Sequence, residues 1–157
     1  MKVSAVVISH GHAEELVRSL PALASQVDEL LVIANVPGSV PSPLPDGVRV
    51  IENDVPRSFA ANANLGAART EHELVLIANP DAIAEPDAVE ILRSFMQAHP
   101  RCGVAGPQML YSDGTWQASR RSFPTIGATL VRRTPLRLLF PPLRWQRRHY
   151  LLDERPI

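Results

Sequence analysis

The most pointed chemistry in the sequence is a carboxylate at the end of an apolar run. Asn79-Pro80-Asp81 directly follows Glu-Leu-Val-Leu-Ile-Ala at residues 73–78. A carboxylate placed there can hold a hard cation such as Mg2+ or Mn2+. That cation can bridge the two phosphates of a nucleotide-sugar and neutralise the charge that builds on the diphosphate as the sugar departs. Asn79, two positions earlier, can hydrogen-bond a ribose hydroxyl. The same tripeptide also reads as an Asx-Pro turn that opens the next helix. Two other groups carry less. His10 and His12 are spaced to share a metal, but no third ligand stands at a recognisable spacing. Cys102 falls in an apolar stretch without a Cys-x-x-Cys partner and reads as a packed thiol rather than a nucleophile. The dinucleotide fingerprint Gly-x-Gly-x-x-Gly, the P-loop and Gly-x-Ser-x-Gly are all absent.

The elements that must position these residues are legible in the hydrophobic pattern. Val3 to Ser9 is a β-rich apolar run and reads as a buried strand. His12 to Gln26 carries Leu16, Leu20, Leu23 and Val27 at helical spacing, with Pro21 expected to kink or split that helix. Glu29 to Ala34 and Val48 to Glu52 are the second and third strands. Between them, Asn35 to Gly47 holds four prolines and two glycines and reads as a loop. Ser58 caps a helix that runs to about Ala68 through an Ala-rich body. Glu73 to Ala78 is the fourth strand. Glu85-Pro86-Asp87 is a helix start signal for a segment that stops before Pro100. Cys102 to Ala105 is expected as a fifth strand, and Ser112-Asp113-Gly114-Thr115 as a hairpin turn. Strands alternating with helices predict βαβ units and a mainly parallel sheet, which binds ligands beyond the carboxyl ends of its strands. The informative positions are then Ser9-His10-Gly11-His12, Asn35 and Asn79-Pro80-Asp81.

At 157 residues, 45% hydrophobic and 20% charged, the chain can bury a core as one folded domain. Its expected division is an α/β part at 1–116 and an Arg-rich segment at 117–157. No apolar run approaches a membrane span, and residues 1–9 make a poor signal peptide. The lone cysteine excludes an internal disulfide framework. A cytoplasmic protein is expected. Net charge is zero but unevenly spread. Residues 1–113 hold 7 Lys and Arg against 14 Asp and Glu, whereas residues 114–152 hold 8 Arg and no acid. That asymmetry fits either a basic surface that meets anions or two parts that neutralise each other.

The sequence resembles the family 2 (GT-A) glycosyltransferases, particularly their rhamnosyltransferase-like bacterial branch. The resemblance covers about residues 3–135. It runs through Val6-Val7-Ile8-Ser9-His10-Gly11, the helix at Leu16 to Gln26, Asn53, and Ser58-Phe59-Ala60-Ala61-Asn62-Ala63-Asn64-Leu65-Gly66. It continues through Glu73 to Asp87, where Asn-Pro-Asp is a variant of Asp-x-Asp. Val104-Ala105-Gly106-Pro107, Asp113-Gly114 and Ser119 to Thr125 complete it. The resemblance implies a Rossmann-like nucleotide-diphospho-sugar transferase fold and an inverting transfer to a glycan or lipid-linked acceptor in cell-envelope polysaccharide synthesis. It places Ser9 and His10 against the nucleotide base, Asn64 by the base and ribose, Asn79 facing the ribose, and Asp81 on Mg2+ or Mn2+. A UDP- or dTDP-linked donor is implied, and no nucleic-acid partner. Arg120 and Arg121 fall on a family motif without a firm role.

Three departures qualify that picture. The family's second strand usually ends in an Asp that pairs with the base; here Ala34 is followed by Asn35, which can partly substitute for the lost acceptor. Ser58 replaces a Gly before Phe59, with Arg57 beside it as a phosphate contact. The family also continues into an acceptor-side sheet with an Asp or Glu base, whereas this sequence stops at Ile157 and offers no base. Two other functions therefore stand beside the transferase. One is a module that binds nucleotide-sugar without turnover. The other is a peripheral membrane scaffold using Arg132 to Leu152, which pairs six Arg with Leu136, Leu138, Leu139, Phe140, Leu143 and Trp145 against an inner-membrane surface.

Overall fold

Seven consecutive residues, Val3–Ser9, are buried on both faces and form β1 at the heart of a parallel sheet. The structure is a computed structural model and describes residues 1–117 and 119. β2 (Glu29–Ala34), β3 (Val48–Glu52) and β4 (Leu74–Ala78) follow, in the spatial order β3-β2-β1-β4. All three pairings are parallel. Val6 registers against Leu31 on one side and Ile77 on the other. Burial on both faces explains why the strands read as continuous apolar runs rather than as alternating ones.

Alternate side chains of β1 serve the two faces of the sheet. Val3, Ala5 and Val7 join Leu30, Val32, the helical Leu16, Leu20 and Leu23, and Val89 in one cluster. Val6 and Ile8 join Leu31 and Ile33 in the other, with the helical Ala63 and Leu65 packed against it. Helices α1 (Ala13–Ala24), α2 (Phe59–Ala67) and α3 (Ala88–Ala98) connect and cover the strands. Complete burial of each α1 leucine stabilises the fold by about 1.5–3 kcal/mol. Ser58 caps α2, its hydroxyl accepting the Ala61 N–H at 3.3 Å. Gly66 lies flat on β1: a Cβ there would stand 2.3 Å from Val6 Cγ1.

Two expectations are corrected, a split first helix and a fifth strand. The first helix is not split at Pro21, which sits exposed inside α1. Proline removes one backbone bond there, while the Leu16, Leu20 and Leu23 stripe keeps the segment seated. The third helix begins at Ala88, directly after the Glu85-Pro86-Asp87 start signal, with Asp87 as its N-cap residue in a left-handed conformation (φ 63°) and no side-chain cap bond. Cys102 to Ala105 forms no strand among the described residues; Cys102 is half-buried, with its thiol donating to the Val104 carbonyl at 3.3 Å.

The chain divides into two units, Met1–Ala105 and Gly106–Ile157. In the second unit the expected turn is present: Leu110 and Trp116 form an antiparallel bridge, and Gly114 closes the turn at φ 79° with its N–H on the Tyr111 carbonyl. Among the described residues no helix is long and apolar enough to cross a membrane. Arg120, Arg121 and the Arg132 to Leu152 segment lie outside the described residues.

Candidate functional site

Because all four strands are parallel, the residues just past their carboxyl ends share one edge of the sheet. These are Ser9 and His10 from β1, Asn35 from β2, Asn53 from β3, and Asn79-Pro80-Asp81 from β4. Such an edge is where open α/β sheets bind ligands.

The β1 turn is built on glycine. Gly11 has φ 83°, open to glycine at no steric cost. The turn brings His12 back so that its Nδ1 accepts the His10 N–H at 3.0 Å. Ser9 is fully buried; its hydroxyl accepts the His12 N–H at 3.2 Å and its carbonyl accepts the Asn35 N–H at 2.8 Å. Ser9 thus holds the turn together, and His10 is the exposed member of the pair.

Asn35 is 5% exposed and fully engaged. Its Oδ1 accepts from the Arg57 N–H at 2.7 Å and from Asn53 Nδ2 at 2.9 Å. Its Nδ2 donates to the Arg57 carbonyl at 2.9 Å and lies 3.0 Å from His10 Nδ1. Asn53 Nδ2 also donates to Asn62 Oδ1 at 2.8 Å. Three buried amides, from just past β2, just past β3 and from α2, are therefore laced in series, and Asn62 Nδ2 is a buried donor with no partner among the described residues. Sequence reasoning quoted Asn53 and Asn62 but gave neither a role. Their signal was an Asn straight after a strand and an Asn inside an Ala-rich helix.

Asn79 and Asp81 are exposed at the end of β4. Their turn is closed by the Ala82 N–H on the Asn79 carbonyl at 3.2 Å. It is also pinned from α1, where the buried Ser19 hydroxyl donates to the Pro80 carbonyl at 2.7 Å. Ser19 is a further residue that the sequence pattern did not single out. Among the described residues nothing hydrogen-bonds or ion-pairs with the Asp81 side chain. Asn64 lies on the exposed side of α2; its neighbour two positions earlier, Asn62, is the helix residue tied to the strand ends. The structure thus joins Ser9, His10 and Asn35 directly, and leaves Asn64, Asn79 and Asp81 outside that hydrogen-bonded group.

At the opposite end of the sheet the charges are structural. Glu29 accepts from the Ser4 hydroxyl at 2.5 Å and the Glu71 N–H at 3.0 Å, and pairs with Arg49. Burial raises its pKa, but those partners outweigh it and hold the carboxyl below its ordinary value. Among the described residues no group of three His, Cys, Asp or Glu could enclose a metal ion. A cation at Asp81 would therefore need its other ligands from a bound molecule and water, a mode typical of Mg2+.

No curated protein matches the sequence. Among solved structures, S. aureus TarS 1-349 superposes with a TM-score of 0.52 at 16% identity, covering 71% of this chain and 40% of that one. The same protein in complex with UDP superposes at 0.52 and 16%, with the same coverage. Its complex with UDP-GlcNAc gives 0.50 and 15%, covering 71% and 38%. This chain thus spans about two fifths of the TarS 1-349 structures and shares their fold, the GT-A fold expected from sequence. Residues 4–153 match Glycosyl transferase family 2, so nearly the whole sequence is accounted for and the chain belongs to that family.

Proposed function

We propose that the chain binds a nucleotide-diphospho-sugar along the carboxyl edge of its sheet and serves as the donor-binding part of an inverting glycosyltransferase. The observation that carries this reading is Asp81: an exposed carboxylate without a partner among the described residues, on a turn pinned by the Ser19–Pro80 hydrogen bond. Asp81 would hold Mg2+ or Mn2+ together with the donor's phosphates. When bound, that ion supplies charge neutralisation to the departing diphosphate. Asn79 faces the ribose, and His10 lies toward the nucleoside. A UDP- or dTDP-linked donor is supported by the UDP and UDP-GlcNAc complexes of a protein with the same fold. A glycan or lipid-linked acceptor, a rhamnosyl-type donor and a role in cell-envelope synthesis follow from the resemblance stated above.

Transfer also requires a group to take the acceptor's proton. The sequence offers no assigned base for that step, and the second reading is a nucleotide-sugar-binding module without turnover. Calorimetric titration with UDP and dTDP-sugars, with and without Mn2+, tests the shared binding claim. Mn2+ is expected to strengthen binding at least tenfold in the wild type and to have no effect in Asp81→Ala, whose melting temperature stays unchanged. Equal metal dependence in both proteins refutes the role of Asp81. Release of free UDP from a UDP-sugar then separates the enzyme from the module.

A further inference from the structure

We infer that Asn35 is a positioning residue that fixes the His10 tautomer with its proton on Nε2, and that this Nε2–H is the donor offered to an acceptor oxygen of a nucleoside diphosphate. The inference rests on the nucleotide reading above and assigns the polarity of one contact within it.

The argument starts from a group that cannot be turned round. The Arg57 N–H can only donate and its carbonyl can only accept, and both meet the Asn35 side chain, at 2.7 and 2.9 Å. They fix which end of the amide is Oδ1 and which is Nδ2. One Nδ2 hydrogen goes to the Arg57 carbonyl, and the other faces His10 Nδ1 at 3.0 Å. That nitrogen must present a lone pair. A neutral imidazole has one acceptor and one donor nitrogen, so the proton resides on Nε2.

Asn35 itself has nothing left for a ligand. Two hydrogens and two lone pairs are all committed, the last to Asn53 Nδ2 at 2.9 Å. The neighbouring Ser9 hydroxyl is buried and accepts from His12, and the His10 N–H is taken by His12 Nδ1. His10 Nε2 is therefore an unpartnered donor among the described residues that is also exposed, whereas the unpartnered Asn62 Nδ2 is buried. A ring able to exchange tautomers would serve as donor or acceptor alike. Held by Asn35, it is a donor only, and it selects ligands that bring an oxygen lone pair. A nucleoside diphosphate carries such oxygens on both its base and its phosphates.

Nitrogen-15 NMR of the histidine rings in the full chain, combined with UDP titration, tests both halves. In the wild type, His10 is expected to show a protonated Nε2 and a bare Nδ1, and UDP is expected to move the Nε2 signal. In Asn35→Asp the donor facing the ring becomes an acceptor. The Nδ1 signal should then move toward that of a protonated nitrogen. His10→Phe should lower UDP affinity about tenfold, the worth of one hydrogen bond, and His10→Gln, which keeps a donor, should recover part of that loss. Uridine and inorganic pyrophosphate as separate probes locate the acceptor: the loss reappears with uridine for a nucleoside oxygen and with pyrophosphate for a phosphate oxygen.

A wild-type ring protonated on Nδ1, His10 signals unmoved in Asn35→Asp, or a His10→Phe protein that binds all three probes as the wild type does would each overturn the inference. A wild type with the expected tautomer that binds no UDP overturns the nucleotide reading instead, and with it the ligand given to His10. Because the wild-type tautomer needs no substitution, the test stands even where Asn35→Asp impairs folding.

Discussion

Substituting Gly66 by alanine sets two known effects against each other. Alanine is preferred over glycine inside a helix by about 1 kcal/mol, so an isolated α2 would gain. In the folded chain the new Cβ would lie 2.3 Å from Val6 Cγ1, 3.1 Å from its Cγ2 and 3.3 Å from its Cβ. Carbon atoms pack at about 3.5–4.0 Å, so the overlap with Cγ1 exceeds about 1 Å. Val6 cannot retreat easily. It is fully buried, branched at Cβ, and on a strand paired on both sides. Overpacking of this kind costs about 1–3 kcal/mol, and more where backbone must move. The net expectation for Gly66→Ala is a loss of about 1–2 kcal/mol, a fall in melting temperature of roughly 2–8 °C. Circular dichroism on wild type, Gly66→Ala, Val6→Ala and the double variant reads the result directly. Removing the Val6 methyls should make the Gly66→Ala step less costly, a coupling above about 0.5 kcal/mol. A Gly66→Ala protein as stable as the wild type, or strict additivity in the cycle, refutes the close-approach argument.

Further expectations concern the pinned turn and the pH response. Ser19→Ala leaves the Pro80 carbonyl without its donor in a buried setting, which should cost about 1–3 kcal/mol in urea unfolding and weaken Mn2+-dependent UDP binding without abolishing it. Glu29 has a lowered folded pKa, so its contribution is present above the ordinary carboxylate range and is lost as pH falls through the lowered value. Stability measured from pH 7 down to pH 3 should therefore fall more shallowly in Glu29→Gln than in the wild type, the two curves converging in acid. Leu20→Ala, at a fully buried α1 position, should lower the unfolding free energy by about 2–5 kcal/mol in the same assay.

The sheet was legible because each strand announces itself locally. Glu29 to Ala34 and Glu73 to Ala78 are short apolar runs between turn signals, and the structure places β2 and β4 within one residue of them. The places where reading failed are those decided by distant partners. Cys102 to Ala105 has strand-like residues but no pairing partner among the described residues, and no periodicity can supply one. Pro21 breaks a local rule that the packed Leu16, Leu20 and Leu23 override. At the candidate site, Asn79 and Asp81 stood out through their position after a strand. The engagement of Asn35 could not be foreseen, because its partners His10, Asn53 and Arg57 are 25, 18 and 22 residues away and meet it only once the parallel sheet has formed.

The lacing of Asn35, Asn53, Asn62 and the Arg57 backbone contains no ionisable side chain. Such a brace has no counterions to shed and no carboxyl to neutralise. Added salt cannot loosen it by screening. The rear wall of the carboxyl edge should therefore hold its shape across buffers in which the Glu29–Arg49 pair at the far end is already weakening.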